Sequence, residues 1–130
     1  MDELVRWLGE QLDEDERIAR ATHPVFLAWE YDHSVREVRD LGNGNELVHG
    51  IGPHYGEHIA EHDPARVLRE IDAKRRMIEA FERTSYGENT APHEDMRNVS
   101  GAKVDSWRFA LRLLALSYID RPGYREEWRP

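Results

Sequence analysis

An α+β fold is what this 130-residue sequence predicts, on three observations. Stretches near both ends repeat apolar residues at three- and four-residue steps, the period of an amphipathic helix. The region after residue 24 alternates apolar and polar residues instead and is broken by turn residues, the pattern of short antiparallel strands. In mid-chain, Asp63-Pro64 marks a fresh helix start, an acidic cap followed by the one residue whose missing N–H costs nothing there. With 39% hydrophobic residues, four Trp, five Tyr and three Phe, the chain has the material for a core, and its length suits one domain over residues 1–130.

The elements follow in order. Residues 2 to about 21 place Leu4, Leu8, Leu12, Ile18 and Ala19 on one side of an N-terminal helix, with Asp2 and Glu3 at its positive end. His23-Pro24 ends it, because the residue before proline is pushed out of the α region. Val25, Leu27, Trp29 and Tyr31 then alternate as a strand, residues 32–34 read as a turn, 35–39 as a second strand, 42–45 as a Gly/Asn turn and 46–49 as a third. The expectation is a small antiparallel β-meander of two to three strands, covered by a helix. A short His-bearing helix precedes Asp63. Beyond it Val67, Ile71, Ile78, Phe81 and Ser85 recur on one face of a long amphipathic helix running to about residue 85.

Residues 86–102 collect Gly, Asn, Pro and Ser with no sustained period and predict a mobile loop. Residues 103–119 predict the most buried helix. Val104, Trp107, Leu111, Leu114 and Tyr118 occupy one side, Phe109, Leu113 and Leu116 the opposite side, and Arg108 and Arg112 a polar strip between. A helix apolar on two sides is either central to its domain or the seam of a homodimer through residues 103–119. At the end, Pro122-Gly123 turns the chain and Tyr124 and Trp128 are placed to pack one helical turn apart.

Composition narrows the function. Twenty-six acidic against eighteen basic residues give a formal charge of −8, which disfavours nucleic acid as a partner. No apolar run approaches a membrane span, and the acidic, amphipathic start is unlike a basic leader, so a cytoplasmic location is expected. The absence of cysteine removes thiol chemistry and leaves His and carboxylate as the strong metal ligands.

The candidate site is the row His54, His58 and His62, spaced by four and containing H-x-x-E-H twice. In that motif two histidines one turn apart bind zinc and the glutamate activates its water, which assigns metal binding to the three histidines and catalysis to Glu57 and Glu61. A third ligand would come from a carboxylate or from His93, with His93, Glu94 and Asp95 of the following loop as candidates. Against this stand Gly56, which weakens the helix, and helical geometry, which groups His62 with Tyr55 and Ile59 on an apolar face. That grouping expects a partly buried, structural His62 with His54 and His58 at the rim. Lys74 interrupts the stripe of the long helix and is read as a snorkelling lysine paired with Glu70, with a cleft-lining site lysine as the sharper alternative. The favoured function is a binding or regulatory accessory protein with a protein partner and no cofactor. The alternative is a small zinc-dependent hydrolase.

Two segments carry a family resemblance. EHIAEHDPARVLREIDAKR and RLLALSYIDRPGYREEWRP, with the earlier LDEDERIAR, resemble a domain-of-unknown-function family of actinobacteria and their phages. The resemblance implies no activity. Its H-x-x-x-H-D-P core maps to His58, His62, Asp63 and Pro64, and Glu61 stands where that pattern carries a basic or small residue.

Overall fold

The computed structural model describes residues 2–23, 27–90 and 93–130. Helix α1 (Glu3–Thr22) leads into strands β1 (Trp29–Asp32), β2 (Glu37–Asp40) and β3 (Glu46–His49). Helices α2 (Pro53–Glu61), α3 (Pro64–Thr90) and α4 (Glu94–Leu116) follow, and a 3-10 turn (Glu126–Trp128) lies near the end. With 65% helix and 10% strand the fold is α+β, as the periodicities predict. Val25 and Phe26, read as the start of the first strand, lie outside the described residues.

The chain forms two compact units, residues 13–71 and residues 1–12 with 72–130. Both α1 and α3 contribute to each of them.

The unit of residues 13–71 is built on the meander β1-β2-β3, antiparallel throughout. Its turns have identifiable causes. Asp40 is buried because its Oδ1 accepts the N–H groups of Gly42 (2.7 Å) and Asn43 (3.2 Å), closing the β2–β3 connection, where Gly44 takes φ 73°. Asp32 does the same for Ser34 at the β1–β2 turn (2.9 Å). Asp63 performs two tasks. One carboxylate oxygen caps α3 through the Arg66 N–H (2.8 Å) and the other accepts the Trp29 N–H (3.1 Å), so the cap also ties α3 to the start of β1.

Helix α2 packs on β1 and β2 through Gly56. A Cβ built there would lie 2.2 Å from Tyr31 Cδ2, so the glycine, read from sequence as a weakness, is what lets the helix approach the Tyr31 ring. The same contact corrects the sequence-based choice of faces. Tyr55 is 74% exposed and His62 is also exposed, because α2 turns its Gly56 side inward rather than the Tyr55–His62 side.

In the other unit Leu4, Val5, Trp7, Leu8, Leu12, Ile78, Phe81, Val104, Leu111, Ala115, Tyr118 and Trp128 are buried. Trp7 is the centre of an aromatic cluster with Tyr118, Tyr124 and Trp128, so the C-terminal segment is packed as expected. Ile18, placed on the buried side of the first helix, is instead exposed.

Two expectations about α3 and α4 are corrected. The stretch 86–102, read as loop, is largely helical: α3 continues to Thr90 and α4 begins at Glu94, with Ala91 and Pro92 outside the described residues. Gly87 and Gly101 each cost a helix only about 1 kcal/mol, and neither is enough to break one. Helix α4 is also not the most buried: Val104, Leu111 and Ala115 face the core, whereas Phe109 and Leu113 on the opposite side are exposed.

Candidate functional site

His54, His58 and His62 all lie exposed on α2 or at its end. The His58 and His62 rings stack with centroids 4.3 Å apart and a tilt of 35°. His62 Nδ1 lies 2.8 Å from the His58 carbonyl oxygen and donates to it, which leaves Nε2 as its free ring nitrogen. The three histidines are not gathered with a further carboxylate or imidazole of the described residues into a group of three close ligand atoms. Among the described residues, only Glu37, Glu46 and His49 bring three ligand atoms of His, Asp or Glu within 4.8 Å of one another.

The two glutamates assigned to catalysis each have an ionic neighbour. Glu57 Oε1 lies 3.2 Å from His33 Nε2, and Glu61 meets Arg66 Nη1 at 3.4 Å. Both line a shallow cleft of about 240 Å³ with Trp29, Glu30, Tyr31, His33 and Ala60. An exposed His–Glu pair is an acid and a base in reach of each other. His93 stands at the N-terminal end of α4 and Glu94 and Asp95 in its first turn, where the two carboxylates complement the helix dipole.

Lys74 lies against an aromatic ring. Its Nζ lies 5.5 Å from the Tyr118 ring centroid, while Glu70, its expected partner, pairs with Arg66 at 3.0 Å. Arg121 also lies against Tyr118, at 4.7 Å.

Arg108 and Arg112 line a cavity of about 350 Å³ with Asp2, Glu3, Leu4, Glu127 and Trp128. Arg108 pairs with Asp2 and lies 5.1 Å from the Phe81 ring centroid. Arg112 Nε is buried with no hydrogen-bond partner. Arg125 pairs with Glu3 and stands 3.6 Å from Glu127. The Arg108–Asp2 and Arg125–Glu3 pairs act together as a clasp holding the first turn of α1. Burial pushes the Asp2 carboxyl up, but the hydrogen bond and charge of Arg108, with the amides of Val5 and Leu4, outweigh it and hold the group below its usual range.

A test follows from that balance. A carboxyl depressed in the folded state contributes its stability above the unfolded value of 3.8 and loses it as pH falls through the folded value. Asp2→Ala should cost about 0.5–2 kcal/mol at pH 7, the usual worth of an N-cap. In urea titrations the gap from the parent should narrow at pH 3; an unchanged gap would contradict the assignment.

The remaining feature is a surface. Along α4, Val99, Ala102, Ser106, Phe109, Leu113 and Leu116 follow in steps of three and four, opposite the buried Val104, Leu111 and Ala115. Val99, Phe109 and Leu113 are each about half exposed, at 59%, 53% and 48%. Beside the stripe runs a largely apolar groove lined by Val99, Ala102, Lys103, Ser106, Trp107 and Ala110. Sequence reasoning found the Phe109–Leu113–Leu116 part and missed the rest, since residues 94–102 were read as loop.

No curated protein and no solved structure matches the chain. A family model does match it, over residues 1–130, and the chain accordingly belongs to DUF6221, a family of unknown function.

Proposed function

We propose that this is a small cytoplasmic accessory protein that works by binding another protein chain through the exposed face of α4, and that a second copy of itself is the occupant of that face. The observation that carries the reading is the heptad stripe from Val99 to Leu116, which continues an apolar face for three repeats on the solvent side of a helix. Isolated surface apolar residues need no explanation, but five in register, interrupted only by Ser106, do.

The order of sizes along the stripe favours self-pairing in antiparallel register. Turned about a two-fold axis between residues 107 and 108, Ala102 meets Leu113 of the second copy, Ser106 meets Phe109, and Val99 meets Leu116. Small faces large in two of the three layers, so the same patch supplies both knob and hole, as an isologous interface requires. A parallel pairing would set Phe109 on Phe109 and Ala102 on Ala102.

The cysteine-free sequence makes the register directly measurable. Ala102→Cys and Leu113→Cys proteins, mixed and oxidised, should give mainly the mixed disulfide, identified by mass. Predominant Ala102→Cys self-linkage would replace antiparallel with parallel pairing, and no linkage above a surface-cysteine control would remove the second copy as occupant.

A further inference from the structure

We propose that Glu37, Glu46 and His49, on the open face of the β2–β3 ladder, form a divalent-metal site of the zinc type. The site is separate from the α2 histidine row and from the α4 surface.

The geometry rests on an irregularity in the ladder. Glu37 pairs with His49 and Val38 with Val48, but Arg39 pairs with Glu46, so Leu47 is an extra residue opposite the Val38–Arg39 step. In a regular strand Glu46 and His49, three residues apart, would project to opposite faces. The bulge at Leu47 turns Glu46 to the face that carries His49, Glu37 and Arg39. The ligand atoms consequently gather within 4.8 Å of one another, with His49 Nδ1 3.1 Å from Glu46 Oε1 and 3.7 Å from Glu37 Oε2.

The surroundings orient these ligands. Arg39 Nη2 pairs with Glu37 and stands 3.1 Å from Asp32 Oδ2. It engages Oε1 of Glu37 and leaves Oε2 directed at His49. A carboxylate ligand whose other oxygen is held by a fixed donor is the arrangement that supports metal ligands from outside the coordination shell. Charge also favours a cation. Glu37, Glu46 and Asp32 outnumber the single guanidinium of Arg39 on this face, and His49 is neutral as a ligand. Two carboxylates and an imidazole suit Zn²⁺ and its first-row neighbours, with ligand distances of about 2.0–2.2 Å, and leave a fourth position for water. Closing from the present spacing to that shell takes rotations of Glu46 and His49, both on the exposed strand β3.

Zinc titration of untagged protein by calorimetry, with cobalt absorbance as the coordination readout, tests the site. One equivalent should bind. His49→Ala and Glu46→Gln should each weaken binding by at least tenfold, since loss of a supporting residue alone costs about 10–100-fold. Arg39→Ala should weaken it less. The double variant His58→Ala/His62→Ala should bind as the parent does. Near-UV circular dichroism of each variant checks that the fold is kept. Absence of binding in the parent would reduce the trio to a surface ion pair and overturn the proposal. Binding that survives His49→Ala but is lost in the His58/His62 double variant would overturn it equally, and would move the metal to α2.

Discussion

Trp7→Ala should remove about 3–5 kcal/mol of folding stability, the range expected for truncating a large buried aromatic side chain. Trp7 is 5% exposed, and its ring centroid lies 5.2 Å from Trp128, 5.8 Å from Tyr124 and 6.4 Å from Tyr118. Its indole N–H donates to the Pro122 carbonyl oxygen at 2.9 Å, fixing the turn that brings the last residues back. Gly123 completes the seat: it takes φ 87°, and a Cβ there would stand 2.8 Å from Trp7 Nε1. One side chain thus anchors the start of α1 to the end of the chain, 115 residues on. Against a typical net stability of about 5–15 kcal/mol, its loss leaves a marginal protein. Trp7→Phe keeps most of the apolar area and gives up the hydrogen bond, so it should cost about 1–3 kcal/mol. Urea denaturation followed by far-UV circular dichroism separates the two. A Trp7→Ala loss below about 1 kcal/mol would contradict the anchoring role.

Gly56→Ala should destabilise by about 1–3 kcal/mol, the usual cost of overpacking, although alanine is the better helix former by about 1 kcal/mol. The added methyl would sit 2.2 and 2.3 Å from Cδ2 and Cε2 of Tyr31. Rotation of the ring is opposed by the Tyr31 hydroxyl, which donates to the Ile51 carbonyl oxygen at 2.7 Å. Either α2 lifts from the sheet or that hydrogen bond breaks. A double-mutant cycle with Tyr31→Ala should recover most of the loss, because the clash then has no partner. A Gly56→Ala protein more stable than the parent would show that propensity, and not the α2–β1 approach, governs this position.

The sequence reveals the elements where local chemistry decides them. Asp63-Pro64 announces α3 because cap and first-turn proline act on their own backbone, and Asp40 with residues 42–45 closes a turn by the same local means. Alternation locates β2 and β3 within a residue or two. The errors arise where tertiary packing overrides pattern. Gly56 looks like a helix defect until Tyr31 is seen against it, and that single approach reverses which side of α2 is inward. Residues 94–102 look like loop because Asn98, Ser100 and Gly101 are poor helix formers, yet they lead into a strongly apolar helix and propagate from it.

Site residues follow the same division. The four-residue spacing of the histidines correctly stacks His58 on His62, but a row on one helix cannot report whether another element supplies a third ligand. Glu37, Glu46 and His49 are invisible to spacing rules, since only a bulge at Leu47 puts Glu46 and His49 on one face. The α4 stripe was half visible, as the Phe109, Leu113 and Leu116 side. Its exposure depends on what packs against Val104 and Leu111 instead.

Sedimentation equilibrium over a concentration series tests the central claim, that the exposed face of α4 is where a second copy binds. The parent should approach twice the chain mass of 15.3 kDa as concentration rises. The double variant Phe109→Glu/Leu113→Glu should remain at the chain mass while unfolding at the parent's urea midpoint under monomeric conditions, because both side chains are exposed. A parent that stays at 15.3 kDa throughout, or a variant that associates as the parent does, would contradict it.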